Sequence, residues 1–106
     1  MYGYIFLTEN VETGKMFIGE NRSVRFDPKY FGVNEELFAD IDKYGSHKFS
    51  TKMLMPYESE KDLMAGKEYW LSKYGAKDDS NFYNSESAPA PKPRKTRKKK
   101  SEDDEE

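Results

Sequence analysis

The strongest constraint in this sequence is the abrupt end of its aromatic residues. All seven Phe, all eight Tyr and the single Trp lie at or before Tyr83 of the 106 residues. From Ser85 onward the chain reads SESAPAPKPRKTRKKKSEDDEE. This stretch has no apolar periodicity and cannot bury enough surface to offset the entropy that it would lose on ordering. We therefore expect one folded domain over 1–84 and a disordered tail, Pro- and Lys-rich and then acidic, over 85–106.

Charge is divided unevenly between these two parts. Of the 18 basic and 20 acidic residues, seven basic and six acidic ones lie in the tail, which leaves 11 and 14 in residues 1–84. Because Lys and Arg contacts to phosphate dominate non-specific binding to nucleic acid, the basic block of the tail is the expected contact. It comprises Lys92, Arg94, Lys95, Arg97, Lys98, Lys99 and Lys100. The alternative is that this block and the acidic one at 102–106 only keep the tail solvated.

Several classes of site are excluded by composition. With no cysteine, the chain has no disulfide, cysteine nucleophile or thiolate zinc site. The single histidine, His47, rules out a multi-histidine metal site within one chain and is interpreted as a surface residue. No apolar run approaches the ~18 residues of a membrane helix. The first residues lack a basic signal-peptide region, so we expect a cytoplasmic protein with no membrane partner.

Three apolar runs predict strands. Residues 2–7 and 15–19 are short aromatic and aliphatic segments, typical of strands. Gly14 between them can adopt a positive φ, so they form a β-hairpin. Residues 48–55 predict a third strand, which we expect to stop at Pro56.

Two helices are indicated by their end residues. Asn34 is a suitable N-cap for the first helix, and Gly45 is expected to end it. Ser59 and Gly75 have the same roles for the second. Gly66 lies inside the second helix, where glycine costs up to ~1 kcal/mol relative to alanine. The order of elements, ββαβα, predicts a small α+β domain.

Two tripeptides with ten residues between them, Tyr4-Ile5-Phe6 and Phe17-Ile18-Gly19, lie on the two strands of the predicted hairpin. They resemble the signature of the GIY-YIG endonucleases, and the segments after them resemble later parts of that family. Residues 44–49 resemble that family's "YG…F" segment, 61–74 its "L…E-x-Y-[YW]-I-x-x-Y" helix and 83–84 its closing "GYN". The resemblance implies a small antiparallel sheet of three strands flanked by helices.

The chemistry implied by this resemblance is hydrolysis of a DNA phosphodiester. In this plan tyrosine hydroxyls lie near the attacking water, an arginine contacts the phosphate and one glutamate holds a divalent cation. The two signature tyrosines fall on Phe6 and Phe17, whose phenyl rings keep the packing but cannot relay a proton. Tyr2 and Tyr4 precede Phe6 on the same predicted strand face. They could supply a displaced hydroxyl, or simply pack.

The other family positions are matched one at a time. Arg25, six residues after Gly19, best fits the phosphate arginine, and Arg22 is the second candidate. Tyr30 could serve at the histidine or tyrosine position beyond that arginine. Asn84 matches the closing asparagine, which either contacts the site or ends a strand.

Two registers remain open for the metal-binding glutamate. Counting forward from Leu63 places it at Glu68, whereas counting back from the aromatic block at 69–71 places it at Lys67. One residue rotates a helix position by about 100°, so both side chains cannot point into one site. Glu68 would hold Mg²⁺, whereas Lys67 would attract a phosphate without activating water.

These substitutions favour a catalytically impaired GIY-YIG-fold protein that binds nucleic acid, DNA before RNA, or another protein. One alternative is an active Mg²⁺-dependent DNA endonuclease with displaced groups, namely Glu68, Arg25 and either Tyr2 or Tyr4. A second alternative is a regulator or inhibitor that binds another protein through its acidic body. The resemblance also suggests an origin in a virus or mobile element.

Overall fold

A central antiparallel sheet organises the fold. In the computed structural model, which describes residues 1–86, this sheet has three strands. They are β1 (Gly3–Asn10), β2 (Met16–Asn21) and β3 (Phe49–Tyr57), with β1 in the middle. The predicted α+β class with a three-stranded antiparallel sheet is therefore confirmed. The basic block at 92–100 and the acidic block at 102–106 lie outside the described residues.

The hairpin between β1 and β2 is closed by a polar side chain. Asn10 accepts hydrogen bonds through Oδ1 from the backbone N of Glu12 at 2.9 Å and of Thr13 at 3.4 Å. Gly14 follows with φ of 80°, a conformation that few other residues adopt. A side chain that bonds to its own following backbone imitates a turn, so this local chemistry positions β2 against β1.

Both helices begin and end where their capping residues predict. α1 (Glu35–Tyr44) follows Asn34, whose Oδ1 accepts from the Leu37 backbone N at 2.9 Å. α2 (Glu60–Tyr74) follows Ser59 and is ended by Gly75 in the left-handed conformation. A 3₁₀ turn (Ser46–Lys48) connects α1 to β3. Within residues 1–86, neither helix has the length and apolar character needed to cross a bilayer.

The two helices lie on opposite faces of the sheet, and alternate residues of β1 point to each face. We call these the α1 face and the α2 face. The α1 face packs around a core made of Tyr4, Phe6, Phe17, Leu37, Phe49 and Tyr83. The α2 face packs around Ile5, Leu7, Ile18, Leu63, Leu71, Ala76 and Phe82. The central strand is thus buried on both sides.

The prediction that the third strand stops at Pro56 is wrong. β3 continues through Pro56, which pairs with Tyr4, and ends at Tyr57. Within the described part of the chain β3 is an edge strand, so one side of it has no ladder hydrogen bonds to lose. Proline is tolerated at such an edge because its missing N–H can face away from the neighbouring strand.

Gly66 is explained by the packing of α2 on β3. A Cβ atom built at this position would overlap the ring of Tyr57. The Tyr57 hydroxyl accepts a hydrogen bond from the Trp70 indole N at 3.2 Å, which holds that ring beneath the helix. The glycine therefore allows the helix to approach the strand closely, and this compensates for its low helix propensity.

Gly66→Ala is accordingly expected to destabilise the protein. At an unhindered helix position the change would gain up to about 1 kcal/mol, but crowding in a packed interface costs about 1–3 kcal/mol. Urea denaturation of the single variant should show the loss. In a Tyr57→Ala background the ring is gone, so the same substitution should become neutral or favourable. Equal stability of wild type and Gly66→Ala would contradict this account.

Candidate functional site

The two signature phenylalanines form the centre of the α1-face core. Phe6 is fully buried and Phe17 nearly so, with ring centroids 6.3 Å apart. The register pairs Phe6 with Gly19 across the hairpin, and a Cβ at Gly19 would lie 2.7 Å from both rings. The signature glycine thus makes room for the aromatic pair. Tyr30 packs its ring edge against Phe6 at 5.7 Å. Neither Phe6 nor Phe17 can transfer a proton.

The Tyr4 hydroxyl ties the end of β2 to the loop after it. It accepts hydrogen bonds from Asn21 Nδ2 at 3.0 Å and from the Asp27 backbone N at 2.9 Å. Tyr4 shares the α1 face with Phe6, as the period of the strand predicts. Tyr2 does not, because it precedes β1 and its hydroxyl donates to Glu60 Oε1 at 2.7 Å, at the start of α2.

Arg25 and Arg22 have different surroundings. Arg25 is exposed in the loop between β2 and α1, and has no ion-pair partner among residues 1–86. The next residue, Phe26, packs on the Tyr4 ring with centroids 5.5 Å apart, which fixes this part of the loop against the α1 face. Arg22 is engaged by two carboxylates. Of the two arginines, Arg25 is the one available to a phosphate.

Arg22 belongs to a chain of charged groups between β2 and the start of α2. Its Nε and Nη2 donate to the two oxygens of Glu60 at 2.7 and 2.8 Å, and its Nη1 donates to Glu20 at 3.3 Å. The Arg22 guanidinium, helped by the Tyr2 hydroxyl, lowers the pKa of the Glu60 carboxyl to about 2. The same partner, Glu60, raises the pKa of Arg22 above its ordinary value. These charges are therefore neutralised within the protein.

The structure separates Lys67 and Glu68. Lys67 Nζ lies 2.7 Å from Glu20 Oε1, against β2. Glu68 is more exposed and lies 3.6 Å from Lys77 Nζ, which follows the end of the helix. Sequence reasoning did not identify Glu20 as the partner of Lys67. The sequence did contain a clue to this contact. Glu20 is two residues after Ile18 on β2, so the two side chains share the α2 face of the sheet.

These residues do not suit a divalent cation. The side chain that reaches the sheet is an ammonium group, which repels a metal ion, and the neighbouring carboxylate of Glu68 turns toward Lys77. Within residues 1–86, no three His, Cys, Asp or Glu side chains are grouped so that they could hold a metal. The sheet also lies between the Phe6–Phe17 pair and Lys67, so the structure does not bring these positions together.

Asn84 completes the outer edge of β2. Its Oδ1 accepts from the Ile18 backbone N, and its Nδ2 donates to the Ile18 carbonyl, both at 2.8 Å. Two residues along β2, Met16 exchanges backbone hydrogen bonds with Asn81 and Tyr83. The closing segment 81–84 thus takes the place of a further strand beside β2. The Asn84 side-chain amide makes the pair of hydrogen bonds that a backbone amide of such a strand would make.

The Tyr83 hydroxyl connects this segment to α1 and the hairpin. It donates to Asp40 at 2.7 Å and accepts from Asn10 Nδ2 at 3.2 Å. Burial raises the pKa of the Tyr83 hydroxyl above its usual range. Asn84 and Tyr83 therefore have clear structural roles at the positions where the family motif ends.

Asn84→Ala should weaken the β2 edge. Losing two hydrogen bonds to Ile18 is expected to cost about 1–3 kcal/mol of unfolding free energy, and the Ile18 amide should exchange faster with deuterium. Asn81→Ala is the matched control, since Asn81 contacts β2 only through its backbone. Equal exchange rates at Ile18 in the two variants would show that the Asn84 side chain does not hold this edge.

Comparison with known proteins gives one distant relative. Over 84 residues the chain is 26% identical to a protein of Enterobacteria phage T4 described as "Putative endonuclease segE". The match covers 79% of this chain, and the chain spans about 40% of the length of that relative. No family model matches, and no solved structure matches. The similarity gives weak support for a relation to this endonuclease-like protein. In the present chain the positions that resemble the signature, Phe6 and Phe17, lie in the core.

Proposed function

We propose that this chain is a nucleic-acid-binding protein of the GIY-YIG type whose catalytic set is impaired, with DNA as the expected ligand. The observation that carries the proposal is the burial of Phe6 and Phe17 at the two signature positions. General acid–base catalysis is worth roughly 10²–10⁴-fold in rate, and these rings offer no hydroxyl for it. The description of the phage relative as an endonuclease supports nucleic acid as the ligand class.

The surroundings of Lys67 support the same proposal. An ammonium group at 2.7 Å from Glu20 can neither bind a cation nor lower the pKa of a metal-bound water. Arg25, by contrast, is exposed and keeps its charge free of any carboxylate within residues 1–86. A protein with these groups can hold a phosphate and still leave it intact.

The competing hypothesis is an active Mg²⁺-dependent endonuclease that uses Glu68, Arg25 and the Tyr4 hydroxyl. The printed description of the phage relative favours it. The positions of Glu68 beside Lys77 and of Tyr4 beneath the β2–α1 loop weigh against it. The two hypotheses differ in one measurable property, which is turnover of a phosphodiester.

We expect no cleavage of supercoiled plasmid by the full chain at micromolar concentration with Mg²⁺ or Mn²⁺. The reason is the absence of a hydroxyl at positions 6 and 17. Conversion of plasmid to nicked and linear forms is followed on agarose gels. Metal-dependent nicking that disappears in Glu68→Ala and persists in the charge-matched variant Glu12→Ala would establish the endonuclease instead.

Affinity for duplex DNA is expected to reside mainly in the tail. Residues 1–84 have more acidic than basic side chains, whereas 92–100 carry seven positive charges. Each phosphate contact adds about −0.9 to the slope of log K against log salt. Roughly three to five contacts should therefore give a slope of about −2.7 to −4.5, measured by fluorescence anisotropy at several salt concentrations.

Two deletions test this expectation. Deleting 87–106 leaves every described residue in place and should weaken duplex binding at least about tenfold, the loss expected when several phosphate contacts disappear. Deleting only 102–106 should tighten it, because the acidic block competes with DNA for the basic one. Unchanged affinity without 87–106 would place duplex binding on the folded part, with Arg25 as the first residue to substitute.

A further inference from the structure

Three aromatic side chains lie side by side along the second half of α2, and we call them the aromatic platform: Tyr69, Trp70 and Tyr74. The Tyr69 ring meets Trp70 edge-on at 5.2 Å, and Trp70 stacks with Tyr74 at 6.2 Å and 28°. Tyr69 is 57% exposed and Tyr74 37%. Both rings lie outside the buried α2-face core, to which this helix contributes Leu63 and Leu71.

The platform is held in place from below. The Trp70 indole N donates to the Tyr57 hydroxyl of β3, and the Tyr74 ring packs against Phe82 with centroids 6.1 Å apart. Trp70 and Tyr74 are therefore held against the sheet and the closing segment, and Tyr69 rests against the Trp70 ring. Exposed aromatic groups that are fixed in this way lose little conformational entropy when a flat ligand stacks on them.

One exposed lysine lies next to the platform on α2, and a second lies on the same face of the sheet. Lys73 lies one helical turn after Tyr69, which places both on the same side of α2. Lys52 of β3 pairs with Leu7, a residue of the α2-face core, so Lys52 also lies on the α2 face. Both lysines are exposed, and neither has a carboxylate partner within residues 1–86. Glu9 of β1, which pairs with Ser50, is an acidic residue on this same face.

Ion pairs neutralise some of the cations of the body, and Arg25, Lys29, Lys43 and Lys61 are also without an ion pair among residues 1–86. Among residues 1–86, ion pairs engage Lys15, Arg22, Lys48, Lys67 and Lys77. Lys73 lies one helical turn from the exposed ring of Tyr69, so an unpaired cation and an exposed aromatic ring are neighbours on α2. Aromatic faces flanked by Lys are the combination that binds single-stranded nucleic acid, since every base has a face that can stack and every nucleotide has a phosphate.

We propose that the aromatic platform binds single-stranded nucleic acid, with bases stacked on Tyr69 and Tyr74 and phosphates held by Lys52 and Lys73. This inference rests on the proposed nucleic-acid binding and assigns it a second surface, separate from the tail. A duplex keeps its base faces inside the stack and offers them only at its ends. The platform should therefore prefer single strands, whereas the tail binds duplex through charge.

The single tryptophan of the chain makes the platform directly observable. Titration of the full chain with an oligothymidylate of about 12 nucleotides should quench Trp70 emission. Tyr69→Ala should weaken that binding at least about fivefold, as expected for the loss of one stacked base, and Tyr69→Phe should restore it because the ring suffices. Lys73→Gln should make the slope of log K against log salt less steep by about 0.7, the contribution of one phosphate contact on a single strand.

Phe38→Ala is the matched control. Phe38 is an aromatic residue of α1 with 47% exposure, on the other face of the sheet, so its loss should leave oligothymidylate affinity unchanged. Urea denaturation of each variant separates a lost contact from a lost fold. Quenching that survives deletion of 87–106 would support the platform as an independent surface.

The outcomes distinguish the two proposals. If the full chain binds DNA but Tyr69→Ala and Phe38→Ala bind oligothymidylate equally well, the platform is not the site and the proposed function stands. If the full chain binds duplex DNA and Trp70 emission stays constant at saturating oligothymidylate, the platform is likewise overturned. If the full chain binds neither form of DNA, both proposals fail.

Discussion

The double-sided burial of β1 is the constraint on which the rest of this structure depends. Ile5 and Leu7 point to one face and Tyr4 and Phe6 to the other, and all four are buried. A strand of this kind must be covered on both sides. Exposing the apolar side chains of either face to water would cost about 25 cal/mol of free energy per Å². α1 with the preceding loop covers one face and α2 covers the other.

This layering decides what the signature positions can do. Phe6 and Phe17 are diagonal neighbours across the hairpin, so they meet in the α1-face core together with Tyr30. A phenol at either position would have to place its hydroxyl among apolar rings or at their margin. The tripeptides that resemble an endonuclease signature therefore serve here as packing for the centre of the sheet.

Electrostatics gives the surface two different characters. At the start of α2, Arg22 and Lys67 are neutralised by Glu20 and Glu60, which attaches the helix to β2 and leaves little charge for a ligand. Arg25 and the lysines beside the aromatic platform have no such partners within the described range 1–86. The proposed binding of nucleic acid depends on unpaired cations of this kind, because phosphate contacts by Lys and Arg dominate its affinity.

Specific residues satisfy or protect the hydrogen-bonding groups at the two edges of the sheet. The closing segment 81–84 satisfies the outer edge of β2, with the Asn84 side chain standing in for backbone. Over the described residues the outer edge of β3 has no strand beside it. There Pro56 removes a donor, and a charged Lys52 discourages pairing with a second chain. These features limit edge-to-edge association.

The amino-acid sequence by itself determined the elements of this fold, because its signals are local. Asn34, Ser59, Gly45 and Gly75 act on backbone groups within four residues of themselves, so the helix ends were predictable. Only the tertiary structure decided what Lys67, Glu68 and Pro56 do. The partner of Lys67 is Glu20, 47 residues earlier in the chain, and Pro56 is tolerated because β3 lies at an edge. Such contacts depend on how α2 and the sheet pack, which helical spacing alone does not specify.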